Sequence, residues 1–147
     1  MNYLHIGLIH TLFPNAKIIH TTRNSLDTCV SCYSNSFSAN HAYTSNLEDL
    51  AGVYEQYQKI MQHWNDKLPN RIYEVPYEKL VRNLEETING VLRHIGVEFD
   101  PACLEFYNFR RIAITPSADQ VRRPIYSSSV GRHKHFESHL DELTSLQ

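Results

Sequence analysis

Apolar residues recur along this chain with two different periods. From Leu47 onward they fall at alternating spacings of three and four, as Leu47, Leu50, Tyr54, Tyr57, Met61, Trp64 and Leu68. That is the period of an amphipathic helix, here of about five to six turns at 3.6 residues per turn, and Pro69-Asn70 stops it. Its aromatic stripe reads as packing surface, because packing demands that spacing. A shorter helix is expected over residues 3–13, with Leu4, Leu8, Ile9 and Leu12 on one face and Pro14-Asn15 as its end. Another follows Asn83, its expected cap. Glu85 and Glu86 lie in its first turn, Leu84, Ile88, Val91, Leu92 and Ile95 form its apolar face, Arg93 sits in its last turn, and Gly96 terminates it.

Between these helical patterns lie two compact apolar runs. KIIHTT, residues 17–22, predicts a strand with Ile18 and Ile19 as its buried heart, and RIYEVP, residues 71–76, predicts a second. Arg23-Asn24-Ser25 makes a turn after the first, and a helix carrying Asp27, Ser31 and Tyr33 follows, with Ser25 as expected N-cap. Tyr77 stands at the carboxyl end of the second strand and leads into a turn of helix, EKLV. Residues 35–46 are polar and loop-like, and loops of this length often cover a binding site. Asp100-Pro101 opens a short helical stretch, and residues 117–131 are rich in Ser, Arg and Pro. From Arg132 a polar helix is expected, with Phe136, Leu140 and Leu143 inward. Strands each followed by helices give an α/β fold with parallel pairing. Ligands in such sheets bind beyond the carboxyl ends of strands, where Arg23 and Tyr77 both fall.

Composition narrows this picture. The 147 residues form one domain or part of one, residues 1–147, with 41% hydrophobic and 20% charged content. A net charge of −2 leaves no footprint for nucleic acid. No apolar run approaches the roughly 20 residues that span a bilayer, and the first residues lack the basic region of a signal peptide. Three cysteines, Cys29, Cys32 and Cys103, are an odd count that fits a reducing, cytoplasmic setting without a disulfide framework.

The candidate chemistry starts at Arg23. A helix N-terminus offers free N–H groups and a positive dipole end, and an Arg fork beside it suits a phosphate. Two other constellations compete. Cys29-Val30-Ser31-Cys32 is a C-x-x-C after a strand, which invites a redox reading, but Cys29 sits about one turn inside its helix, past where the dipole best lowers a thiol pKa. His133, His135 and His139 suggest a metal, with His135 and His139 four apart on one helical face, but no Cys or carboxylate completes an evident set. Arg122 and Arg123 suit a phosphate-lined loop better than nucleic acid.

Three segments together resemble the sulfotransferases that use 3′-phosphoadenosine 5′-phosphosulfate. FPNAKIIHTTRNSLDTCVSCY resembles the family's 3′-phosphate segment: an apolar strand, then Arg23, then Asp27 and Ser31 at intervals of four. VPYEKLV resembles the Tyr-Glu-x-Leu-Val segment, with Tyr77 as the nucleotide-facing Tyr. SADQVRRPIYSSSVGR resembles the late nucleotide loop of the tyrosylprotein branch and of bacterial members that carry tetratricopeptide repeats, with Ser117, Asp119, Gln120, Val121, Pro124 and Arg132 matching.

The resemblance implies a partial parallel sheet with flanking helices, of the P-loop nucleoside-kinase-like sulfotransferase fold. Arg23 and Ser31 would hold the 3′-phosphate and Tyr77 would contact the nucleotide. Ser117, Gln120, Val121 and Arg123 would lie in the loop that wraps it, with Arg132 as a second charge. Where the tyrosylprotein branch has a second Arg, this chain has Asn35. The reaction implied is sulfuryl transfer to an acceptor hydroxyl, without a metal. The family's Gly/Ser-rich 5′-phosphosulfate loop and general base lie upstream of the matching segments, and the five glycines here are scattered. The chain is therefore expected to be the C-terminal half of such a domain, inactive alone, with an open sheet edge that favours self-association or pairing with a complementing segment. The alternative is a non-catalytic nucleotide-binding or structural remnant of that fold.

Overall fold

The computed structural model describes residues 2–35, 39–108 and 122–146. After a 3-10 turn at Asn2–His5, helix α1 runs Ile6–Leu12, strand β1 Ile18–Thr22 and helix α2 Ser25–Tyr33. Helix α3 spans Leu47–Lys67, strand β2 Ile72–Pro76, helix α4 Tyr77–Arg82 and helix α5 Leu84–Ile95. The two strands pair in parallel, with Ile18 opposite Ile72 and Thr22 opposite Pro76. Parallel neighbours need a long crossover, and α2 and α3 provide it. The α/β expectation with parallel pairing is met as a small two-stranded sheet carrying several helices.

The long helix forms where its periodicity places it. Asn46 caps it by accepting a hydrogen bond from the Asp49 amide, and Leu50, Ala51 and Met61 are buried along its inner face. Gly96, at φ 78°, closes α5 in the left-handed conformation that suits a residue without Cβ.

The main core lies between α2, α3 and the end of the chain. Leu26, Cys29 and Val30 meet Leu50 and Ala51, and Leu140, Leu143 and Leu146 close over them. Leu140 and Leu143 are inward as expected, but Phe136 is 39% exposed. The segment is also two 3-10 stretches, Arg132–His139 and Asp141–Leu146, rather than a helix. Its conformation follows from docking onto α2 and α3, and it has no helical apolar stripe of its own.

Three further expectations are corrected. Ile19 is 41% exposed, because side chains alternate along a strand and the packed face of β1 carries Ile18, His20 and Thr22. On the first turn and α1, Leu4, Leu8 and Leu12 are exposed, whereas Ile6 is buried and Gly7 lies under the Trp64 ring. Trp64 Nε1 also donates to the Tyr3 carbonyl at 2.8 Å, which fixes that docking. Asn24, not Ser25, caps α2 by accepting from the Asp27 amide, while the Ser25 hydroxyl donates to the Leu146 carbonyl at 2.9 Å. Asn83 does hold the N-cap position of α5, but it makes no side-chain capping bond.

Candidate functional site

The end of β1 delivers Arg23 into a position tied down from three sides. The Tyr54 hydroxyl of α3 donates to the Arg23 carbonyl at 3.2 Å, and the next amide, Asn24, donates to Glu78 Oε1 of α4 at 2.8 Å. The guanidinium lies over the Tyr77 ring, 5.1 Å from its centroid, an attractive cation–π arrangement. Its Nη2 donates to the Ser129 carbonyl at 2.6 Å, whereas its Nε is buried with no hydrogen-bond partner. A buried donor without a partner is costly, so this edge of the fork suits an anion.

Arg23 and Ser31 border one cavity of about 390 Å³ at the carboxyl end of β1. Tyr43, Leu50, Val53 and Tyr54 supply much of its remaining wall. Asn35 folds back on α2, donating to the Ser31 carbonyl at 2.6 Å.

Between Arg23 and Ser31 in sequence lies Asp27, only 1% exposed. Its Oδ2 accepts from the Gly131 amide at 2.6 Å. Its Oδ1 accepts from the His133 amide at 2.9 Å and pairs with His133 Nδ1 at 2.8 Å. Gly131 is at φ 73°, and left-handed turns of this kind aim successive amides into an anion-binding concavity. Burial alone would raise the Asp27 carboxyl, but the bonds from His133 and Gly131 outweigh it and hold the group below the ordinary carboxylate value.

A second cavity, about 370 Å³, lies beside the first and shares Arg23, Tyr54 and Tyr57 with it. There His20 Nε2 meets the Tyr57 hydroxyl, and His20 Nδ1 faces Glu74 Oε1 at 3.5 Å. Burial, reinforced by Tyr54, Glu74 and Tyr3, pushes the Tyr57 phenol up to about 12, so it remains a proton donor.

The structure thus brings Arg23, Ser31 and Tyr77 into one neighbourhood. Arg132 is exposed, its backbone held between Gly131 and His133 beside α2. Arg123 is exposed and borders neither cavity. Ser117, Gln120 and Val121 lie outside the described residues, as does Asp119. Sequence reasoning missed the clamp on Asp27 and the Ser129 carbonyl, and did not join His133 to Asp27. The available signal was an acidic residue spaced between two phosphate-binding candidates. The redox alternative is not supported. Burial, with Cys32 beside it, pushes the Cys29 thiol up to about 12, and burial also raises Cys32, so neither is a ready thiolate. Among the described residues no group of His, Cys, Asp and Glu has the arrangement of a metal site.

A parallel strand pair with an Arg at its carboxyl end, a helix and an adjoining cavity fits the comparison with known families. The model of the sulfotransferase family matches residues 1–101, and the chain belongs to that family. An uncharacterized protein of Aquifex aeolicus (strain VF5) is 37% identical over 148 residues, covering 99% of this chain. The chain spans 19% of the length of that relative.

Proposed function

We propose that this chain is a nucleotide-holding part of a sulfotransferase domain, one that grips the 3′-phosphate end of 3′-phosphoadenosine 5′-phosphosulfate and does not turn it over alone. The observation that carries this reading is Arg23, with its buried and unpartnered Nε, on the same cavity as Ser31. A guanidinium fork and a hydroxyl are complementary to a phosphate dianion. Tyr77 supports the guanidinium from below and contacts the nucleotide. Arg132 adds a second positive charge, and Ser117, Gln120, Val121 and Arg123 belong to the loop that wraps the ligand.

Sulfuryl transfer to an acceptor hydroxyl needs donors arrayed around the 5′-phosphosulfate, as phosphoryl transfer does. The scattered glycines of this chain form no Gly-rich loop for that purpose. Its share of the reaction is binding, in the cytoplasm and without a metal. Its macromolecular partner is a second copy or a segment that pairs with the open strand edge.

Calorimetry with 3′-phosphoadenosine 5′-phosphate tests the site. The parent is expected to bind, and Arg23→Ala to weaken binding by roughly tenfold to a hundredfold, the range for losing a charged hydrogen-bond donor. Equal heats from both proteins, or none from either, overturn the assignment. Sulfuryl transfer by the isolated chain to a simple phenol overturns the non-catalytic part.

A further inference from the structure

We propose that Asp27 is the positioning residue of the phosphate site: it clamps residues 129–133 against α2 and so holds in place the segment whose Ser129 carbonyl fixes the Arg23 guanidinium. The inference rests on the nucleotide reading above, and extends it to a residue that would not itself touch the ligand.

Asp27 and Ser31 are four apart on one helix, so they lie on one face. Both Asp27 oxygens are committed to the far end of the chain, through the Gly131 amide and through the amide and ring of His133. Two residues upstream of Gly131, the Ser129 carbonyl accepts a hydrogen bond from Arg23 Nη2. The same short segment is therefore held at both Arg23 and Asp27, and Arg132 is carried between the two clamped amides. The Asp27 carboxylate is nearly fully buried and its lone pairs are occupied by donors, so it neutralises the segment's amides without presenting a bare negative charge to an incoming phosphate.

Asparagine is nearly the same shape but replaces one oxygen by an NH₂ group. That group would point a donor at either the Gly131 amide or the His133 amide, and one arm of the clamp opens. The His133 ring is a separate arm: His133→Ala leaves the carboxylate and both main-chain bonds in place.

Calorimetry compares 3′-phosphoadenosine 5′-phosphate with adenosine 5′-phosphate, which lacks the 3′ group. Asp27→Asn is expected to weaken the first by about tenfold, the cost of one charge-assisted hydrogen bond, and to leave the second within about twofold. Deuterium exchange at the Gly131 and His133 amides is expected to quicken in the same variant. Equal losses for both nucleotides, or no loss with Arg23→Ala still impaired, overturn the positioning role. If Asp27→Asn does not fold, His133→Ala decides, with a smaller loss confined to the 3′-phosphorylated ligand expected and an unselective or absent loss overturning. Should the parent bind neither nucleotide, the nucleotide reading and the phosphate-positioning role fall together. Exchange still judges the clamp separately: unchanged rates at Gly131 would remove it as well.

Discussion

Single residues in this chain are decided by what lies opposite them. Gly90 of α5 has no room: a Cβ there would stand 2.1 Å from the Tyr73 hydroxyl, and Tyr73 is stacked on His94. Gly52 of α3 has nothing within 4 Å. Gly90→Ala should therefore destabilise by about 1–3 kcal/mol, and Gly52→Ala should stabilise by about 0.5–1 kcal/mol through helix propensity. Urea unfolding followed by the single Trp64 reads both; equal effects would contradict the packing described. Asp27 adds a pH dependence. Its carboxyl is held below the ordinary value, so its contribution is complete above about pH 4, the unfolded carboxylate pKa, and is lost as pH falls through the lower folded value. In an acid titration by circular dichroism, Asp27→Asn should lack this component. An identical acid transition in parent and variant would assign acid unfolding to other groups. At this scale the sequence was misleading where two candidates stood side by side. Asn24 and Ser25 are both good caps, and only the commitment of Ser25 to the Leu146 carbonyl separates them.

The elements divide by where their stability comes from. α3 was legible over nearly its whole length because one stripe of side chains faces the core for 21 residues, and periodicity records that directly. Both strands were legible too, because each is a short apolar run with a turn after it. The chain end from Arg132 was not. Its buried residues, Leu140, Leu143 and Leu146, are spaced by threes and are inside only because α2 and α3 offer a surface for them. α1 failed for a related reason: its exposed leucines form a good stripe, yet Gly7 and Ile6 make the contact that docks it. Leu143 is fully buried, so Leu143→Ala should cost about 2–5 kcal/mol and lower the thermal midpoint seen by calorimetry. A change of under about 0.5 kcal/mol, typical of surface positions, would mean the chain end is not part of the core.

For the whole molecule, the sequence conveyed the architecture better than the site. Arg23 and Tyr77 were legible as neighbours because both stand at the carboxyl ends of paired strands, whereas Ser31 was singled out by the family resemblance. The Asp27 clamp joins positions 104 and 106 residues apart, and no local pattern reports a partner at that distance. Outward-facing Leu4, Leu8, Leu12 and Phe13 lie close together in sequence, and among the described residues each strand pairs along one edge only. Exposed apolar side chains and open strand edges each favour association. Sedimentation is expected to show concentration-dependent self-association, reduced by Leu8→Lys with Leu12→Lys. A monomer at every concentration would oppose it.

The span of the Asp27 clamp also sets an order of events. A contact that closes a loop of about a hundred residues carries a large chain-entropy cost and depends on other structure to bring its ends together. The pairing of Ile18 with Ile72 and the α2–α3 contact close shorter loops, and the clamp can form only once residues 129–133 are present. Without residues 129–133 Asp27 would have no amides to clamp and Arg23 no Ser129 carbonyl to donate to. A ligand that binds only the clamped arrangement would slow its reopening.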